Sequence, residues 1–354
     1  MALIRLLNNF LRFTPQASSL PLWAACGVQS GVAGAIHPFP RQSMAEISSE
    51  TRFLHAIEMG LGAWQWGDRI VWQYGHGYSD TEVKEAFLAS LSEGIRFVDT
   101  AEIYGNGRSE QLLGQFLKEI EQPVLIATKF LPFPWRFGKS AFPRALKNSL
   151  GRIGVESVDL YQIHWPTPLM SIDTMMDGLA ECVKSGMTRT VGISNFGQSK
   201  MVAAYSALAR HKIPLASNQV HYSLLHRNVE KNGTLARCKE LGIRLIAYSP
   251  IEMGMLSGKY SVEAPPPGSR ARSYAGLLPR LGSLLKLMTE VGQDHGGKSN
   301  TQVALNWVIC KGALPIPGAK NAAQAQENAG GLGWKLKDEE VARLDQASEA
   351  VTGS

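Results

Sequence analysis

Short apolar runs alternate with stretches of helical spacing along most of this chain, and several of the runs end in a polar residue. Residues 94–98 run into Asp99, with Tyr104 five residues further on. Residues 124–128 run into Lys129, 158–163 into His164 and 243–247 into Tyr248, while Ser217 and Asn218 lead into Gln219. A continuous apolar run of this length is the pattern of a strand buried on both faces. Further strands are predicted over 190–196, 215–220 and 314–316. Between them, 80–92 places Val83, Ala86, Phe87 and Leu91 on one helical face. Helices are likewise predicted over 109–120, 142–153, 172–185, 199–210, 229–241, 283–291 and 301–311, from Asn321, and over 337–347. Residues 59–66 hold two glycines and two tryptophans and read as a tight segment that closes a barrel floor or lines a pocket. Residues 251–274 read as a loop too long for a mere connector, a lid or clamp. The rhythm is unbroken from Leu61 to Ala329, which favours one parallel α/β barrel over two ordinary domains. In a parallel barrel the C-terminal strand ends converge on one mouth.

Length and composition agree with that reading. The chain has 354 residues, of which 44% are hydrophobic, enough for one barrel of roughly 300 residues plus a leader. The formal charge is +6, but Arg5, Arg12 and Arg41 all precede the first acidic residue, Glu46. The remainder is mildly basic, which suits an anionic cofactor. Lys and Arg are not interleaved with aromatics in any run, so nucleic acid is not an expected partner. Cys26, Cys182, Cys238 and Cys310 show no CxxC spacing, and the histidines are scattered, so neither a disulfide framework nor a metal site is expected. Residues 1–45 lack acids and contain Arg, Ser and Ala, the composition of an organelle transit peptide. Their apolar stretch, 20–36, is interrupted by Gly, Gln, Ser and Cys, and does not read as a membrane span. The expected organisation is a leader over 1–45 and a barrel over 55–350. No oligomeric state is readable.

Asp99, Tyr104, Lys129 and His164 stand at the ends of consecutive strands, and together they have a chemistry. A phenol has an ordinary pKa of about 10, too high for an efficient acid near neutrality. A buried ammonium beside it favours the phenolate and lowers that value. Lys129 is expected to supply the charge, Asp99 to orient Lys129, and His164 to hydrogen-bond a substrate oxygen. Such a group protonates a carbonyl oxygen while hydride arrives at the carbon. A second site is expected where Pro315 to Lys320 lead into the helix at Asn321: a helix N-terminus near the last strands of a barrel commonly holds phosphate. By contrast, Gly292 to Ser299 satisfy the expression for a nucleotide P-loop but follow a helical pattern rather than a strand, and read as an inter-helix turn. No strand-associated GxGxxG is present.

Taken in order, Gly94-Ile-Arg-Phe-Val-Asp99-Thr-Ala-Glu-Ile-Tyr104-Gly105, Thr128-Lys129, Gln162-Ile-His164-Trp-Pro, Val191-Gly-Ile-Ser194-Asn195-Phe, Ser217-Asn218-Gln219, Ala247-Tyr248-Ser249-Pro250, Gly258-Lys259-Tyr260 and Ile316-Pro-Gly-Ala-Lys320 resemble the aldo-keto reductase superfamily over residues 60–347. Residues 62–67, 132–138 and 216–219 are most similar to its plastid-targeted plant and algal branch. The resemblance implies a (β/α)8 TIM barrel that binds NADPH in extended form at its mouth and reduces a small-molecule carbonyl, in a chloroplast or other plastid. It implies Tyr104 as the acid, with Asp99, Lys129 and His164 in support. It implies that Ser194, Asn195 and Gln219 hold the nicotinamide carboxamide and that Tyr248 stacks on the ring. Ser249, Pro250, Lys259 and Arg270 then contact the pyrophosphate and clamp the cofactor. Gly318, Lys320, Asn321, Gln324, Glu327 and Asn328 then surround the 2′-phosphate and adenine. Trp64 is expected beside the cofactor, and with Trp135, Phe137 and Trp165 is placed to line an apolar pocket. Lipid-derived aldehydes, pyridoxal and quinone-like carbonyls stay open as substrates. Asn321 and Gln324 stand where many members carry Ser and Arg, an arrangement similar to the potassium-channel β-subunit branch. A cofactor-binding, redox-sensing subunit is therefore the alternative to an enzyme. His164 separates them, because those subunits carry Asn there.

Overall fold

A computed structural model describes residues 47–353. Eight strands form one parallel sheet in sequence order. They are β1 (Leu61–Gly62), β2 (Phe97–Asp99), β3 (Leu125–Phe130), β4 (Val158–Ile163), β5 (Thr188–Ser194), β6 (Leu215–His221), β7 (Arg244–Tyr248) and β8 (Leu314–Pro315). The ring closes because the amides of Gly60 and Gly62 donate to the carbonyls of Pro315 and Pro317, at 3.0 and 2.9 Å, and Gly62 bridges Gly318. The expected (β/α)8 barrel is therefore what the chain forms. The leader assigned to 1–45 lies outside the described residues.

Two-residue periodicity along each strand builds the interior in layers. Phe97, Ala127, Leu160, Ile246 and Leu314 form an apolar layer with Leu54 and Ile316. Two positions further along four of these strands stand Asp99, Lys129, Gln162 and Tyr248. The same alternation that fills the barrel with hydrocarbon thus delivers polar groups at its mouth. Leu54, from the short helix Arg52–His55, is fully buried in the lower layer and stops the barrel floor. Burial of such a side chain contributes about 1.5–3 kcal/mol. Residues 59–66 are consequently not the floor. They carry the first barrel strand, whose close contact with the 316–318 segment explains the glycines: a Cβ on Gly62 would approach the Ile316 carbonyl to 2.8 Å.

The outer helices follow the predicted faces, and Asp80–Ser92 buries Val83, Ala86, Phe87 and Leu91 as expected. Two expectations are corrected. Residues 229–241 are not one helix: Asn228–Lys231 and Thr234–Glu240 are separated at Gly233, whose φ of 74° breaks the turn. Residues 251–274 are not plain loop, because they contain a 3-10 segment, Glu252–Ser257, and a helix, Ser269–Tyr274. Gly292 sits in the last turn of the helix Gly282–Asp294, and the segment after it leads into a capping box at Ser299, so the P-loop look-alike is an inter-helix turn. Cys182, Cys238 and Cys310 are free. Among the described residues, no helix is long and apolar enough to cross a membrane, and no His/Cys/Asp/Glu group could hold a metal ion.

Candidate active site

The four polar residues at the ends of β2, β3 and β4 are brought together at the mouth. Lys129 is fully buried, and its Nζ has three partners: the Asp99 carboxylate, the Thr100 carbonyl at 2.9 Å and the Tyr104 hydroxyl at 3.3 Å. Tyr104 reaches this point from a 3-10 turn, Tyr104–Gly107, directly after β2. The ring of His164 packs edge-on against the phenol with centroids 5.6 Å apart, and Trp64 lies 6.3 Å away on another side. The His164 amide donates to the Phe130 carbonyl at 2.8 Å, which extends the β3–β4 ladder by one residue and fixes the ring at the rim. Its buried Nδ1 has no hydrogen-bond partner among the described residues. Burial, followed by the Lys129 charge, holds the His164 pKa well below the usual histidine value, so the imidazole is neutral. A neutral imidazole retains one N–H donor and one acceptor.

The phenol is not acidified in the way the charge pattern leads one to expect. Burial first, then the Asp99 and Asp68 carboxylates, hold the Tyr104 pKa well above its ordinary value. Desolvation of the buried phenol oxygen is the larger cause, and the nearby carboxylates add to it by disfavouring a second negative charge. Burial likewise lowers the Lys129 pKa, against the opposing pull of Asp99. The resting group is therefore a protonated phenol hydrogen-bonded to a dry ion pair.

Asp99 is itself held by residues that the motif reading assigned elsewhere or passed over. Its Oδ2 accepts from the Gln219 amide at 2.8 Å and from the Gln162 amide at 3.1 Å. Gln162 carries no assigned role in the sequence, and only its inward position on β4, one step past Leu160, signals it. Gly192 on β5 makes room for this network, because a Cβ there would collide with the Ser217 hydroxyl and press on Gln162 Cγ at 3.1 Å. Ser194 and Asn195 stand beside it. The Asn195 amide nitrogen donates to the His164 carbonyl at 3.1 Å and to Ser194 Oγ at 3.0 Å, and its oxygen accepts from the Tyr248 hydroxyl at 3.0 Å. Asn195 has φ of 63°, a left-handed conformation that Asn tolerates better than most residues.

A second cluster forms where the 251–274 segment meets the last strand. Arg270, 8% exposed, lies 5.2 Å from the Trp72 ring and 5.7 Å from Tyr260. Lys320 lies over Trp72 and Tyr78, at 5.0 and 4.5 Å. Burial, with Arg270 and Lys259 nearby, pushes the Lys320 pKa down to about 8. Three cations crowded together with no carboxylate ion-paired to them among the described residues are the charge pattern of an anion site. The aromatic cage of Trp72, Tyr78 and Tyr260 was not read from the sequence. Asn321 caps the helix Ala322–Ala329, accepting from the Gln324 amide at 3.0 Å.

The other assigned residues have these positions and partners. Gln324 folds back to accept from the Lys320 amide at 2.9 Å. The Glu327 carboxylate accepts from the Ser299 hydroxyl and the Gln302 amide, at the start of the helix Asn300–Cys310. Asn328 donates to the Gly318 carbonyl at 3.3 Å, tying that helix to the β8–β1 closure. Ser249 is left-handed, with φ of 51°, and Pro250 is buried behind it, so both shape the turn after β7. Lys259 is exposed. Trp135 and Phe137, expected to line a pocket, are 64% and 63% exposed on the loop after β3, where Trp135 stacks on Phe133 at 4.7 Å. That loop is anchored by Arg136, which pairs with Glu102, two residues before Tyr104.

The structure thus combines a closed parallel barrel with a buried Asp–Lys–Tyr–His cluster at its mouth and a cationic site beside its last strand. The family model described as the aldo/keto reductase family matches residues 58–349, and the chain belongs to that family. Pyridoxal reductase, chloroplastic, of Arabidopsis thaliana is 40% identical over 310 residues, covering 84% of this chain and 84% of the relative. Among solved structures, the glycerol dehydrogenase of Gluconobacter oxydans superposes with a TM-score of 0.74 at 26% identity, covering 84% of this chain and 93% of that one. An aldo/keto reductase of Klebsiella pneumoniae in complex with NADP and acetate gives a TM-score of 0.65 at 28% identity, covering 82% and 90%.

Proposed function

We propose that this enzyme uses NADPH to reduce an aldehyde or ketone to the alcohol, with Tyr104 as the proton donor. The observation that carries the reading is Lys129 Nζ, which touches the Asp99 carboxylate and the Tyr104 hydroxyl at once beneath the open mouth. When bound, NADPH supplies the hydride. Ser194, Asn195 and Gln219 are the side chains that hold its carboxamide, and Tyr248 is the ring it rests on. The Gln219 NH₂ is committed to Asp99, so its carbonyl oxygen is the atom left to accept from that amide. Lys320 and Arg270, with Lys259 at the rim, hold the phosphates, and Trp72, Tyr78 and Tyr260 wall that site. A fully protonated Tyr104 donates to the substrate oxygen as negative charge develops there, and the Lys129 ammonium stabilises the phenolate left behind. His164 donates from its neutral imidazole to the same oxygen and sets the orientation of the carbonyl. Pyridoxal is the first aldehyde to test, given the relative named for its reduction. A turnover assay with NADPH and pyridoxal or para-nitrobenzaldehyde distinguishes this enzyme from a cofactor-binding subunit, which would retain bound NADPH unconsumed.

Cofactor preference follows from Lys320. Lys320→Ala is expected to weaken NADPH by about 10- to 100-fold, the range of one charge-assisted contact, and to leave NADH nearly unchanged. Fluorescence titration of both cofactors checks this, and an equal loss for the two would remove Lys320 from 2′-phosphate recognition. A bound phosphate raises the Lys320 pKa above its free value of about 8. NADPH preference is therefore complete below that pH and declines as pH rises through it. Gln324, folded onto its own helix start, adds no charge, so the preference stays modest.

The plastid location is proposed on the acid-free composition of residues 1–45 and on the chloroplastic relative. A fluorescent reporter fused behind residues 1–45 is expected to enter plastids of plant cells. A purely cytosolic signal would contradict it.

A further inference from the structure

Behind the ring-stacking Tyr248 lies a buried carboxylate that the reduction chemistry leaves unused. Glu252 is 7% exposed and opens the 3-10 segment Glu252–Ser257. It accepts from three side chains on two other parts of the fold. His221, the last residue of β6, and Ser223 just after it meet Oε2 at 2.9 and 2.8 Å. Tyr274, at the far end of the same segment, donates to Oε1 at 3.1 Å. The carboxylate therefore joins the beginning of residues 252–274 to their end, and both to the barrel rim. Burial pushes its pKa up, but His221 and Ser223 outweigh this, and it stays ionised.

The backbone supports the same reading. Glu252 and Met253 have φ of 48° and 51°, left-handed values that carry strain in residues other than glycine. The conformation they set points the Met253 carbonyl at Arg270, which donates to it at 3.0 Å. Two ties, Glu252–Tyr274 and Met253–Arg270, thus close the segment on itself, and the second ends on a cation assigned to the phosphates. Beneath the segment the His221 ring stacks on Tyr248 with centroids 5.2 Å apart, and His226 stacks on the other face of the column at 3.9 Å. His226 is brought there by a tight turn in which Ser223 and His226 exchange backbone hydrogen bonds. One carboxylate consequently fixes both the ring support under the nicotinamide and the segment over the phosphates.

We propose that Glu252 is a positioning residue that latches residues 252–274 over bound NADPH and so sets how long the cofactor stays. This rests on the cofactor placement given above. The latch acts on departure: its bonds must break before Arg270 can swing away, so weakening it raises the release rate more than it changes hydride transfer.

Stopped-flow fluorescence of NADPH release from the full-length wild-type enzyme and from Tyr274→Phe, Glu252→Gln and the double variant tests this. Tyr274→Phe removes one of the three ties to the carboxylate and is expected to speed release by about 2- to 10-fold. Glu252→Gln weakens all three and is expected to speed it by about tenfold or more. In the double variant the Tyr274 change adds less than it does alone, because the charged acceptor it pairs with is already gone. The single-turnover rate of aldehyde reduction is expected to stay within about threefold in Tyr274→Phe, a kcat-independent control of site geometry. Wild-type release rates in Tyr274→Phe, or fully additive effects in the double variant, would overturn the latch. If Glu252→Gln does not fold, Tyr274→Phe alone decides. Failure of the wild-type enzyme to bind NADPH at all would instead overturn the cofactor placement, and is separately visible in the same titration.

Discussion

Tyr104→Phe is expected to lose about 10²–10⁴ in the rate of carbonyl reduction, the range for removal of a positioned acid, with NADPH affinity nearly unchanged. The substitution deletes one oxygen that lies 3.3 Å from Lys129 Nζ and leaves the ring between Trp64 and His164. The fold therefore has no reason to change. The pH profile adds a second check. The pKa of Tyr104 is raised, mainly by burial, so the donor form is fully populated through the neutral range. Reduction should be flat there and fall only in alkali, whereas alcohol oxidation, which needs the phenolate, should climb with pH. Steady-state rates of both directions, with NADPH titration of the variant, measure this. Wild-type turnover in Tyr104→Phe would remove it from the chemistry.

Lys129→Met is expected to be nearly as damaging to the rate and much more damaging to the fold. It leaves the Asp99 carboxylate buried at 2% exposure without its ammonium, a loss of about 3–5 kcal/mol for a broken buried pair. Adding Asp99→Asn removes the uncompensated charge. The double variant should therefore recover most of the thermal stability in a melting experiment while its reduction rate stays depressed by about 10² or more. That split is the informative result: stability tracks the pairing of charges, and catalysis tracks the ammonium beside the phenol. Recovery of both together would make Lys129 a structural residue only.

The barrel was legible because its signal repeats. Each strand reads as an apolar run with a polar end, and the layer of Phe97, Ala127 and Leu160 below Asp99, Lys129 and Gln162 is that same two-residue period seen from inside. The Asp99–Tyr104–Lys129–His164 cluster was legible for the same reason, since parallel strands must gather their ends at one mouth. What escaped is what depends on partners far apart in sequence. The raised phenol pKa arises from desolvation first and then from the Asp99 and Asp68 carboxylates, and spacing encodes neither burial nor their distance from the hydroxyl. Gln324 looked available for a phosphate, yet its nearest acceptor-seeking neighbour is the Lys320 amide one helical turn away. Glu327 was claimed by a capping box on another helix. Trp72, Tyr78 and Tyr260 form a cage only once Lys320 and Arg270 reach across from the opposite side of the closure. Residues 251–274 read as bare loop because no apolar period marks them; their order comes from single contacts such as Glu252 with Tyr274.

The most direct test of the account follows NADPH and product together. Protein lacking residues 1–45 is mixed with NADPH and either pyridoxal or para-nitrobenzaldehyde, with loss of cofactor absorbance recorded and the alcohol quantified by chromatography. The account predicts catalytic turnover in which each NADPH consumed yields one alcohol, absent in Tyr104→Phe. Tight binding of NADPH by the wild-type protein without its consumption by any aldehyde or ketone offered would contradict it.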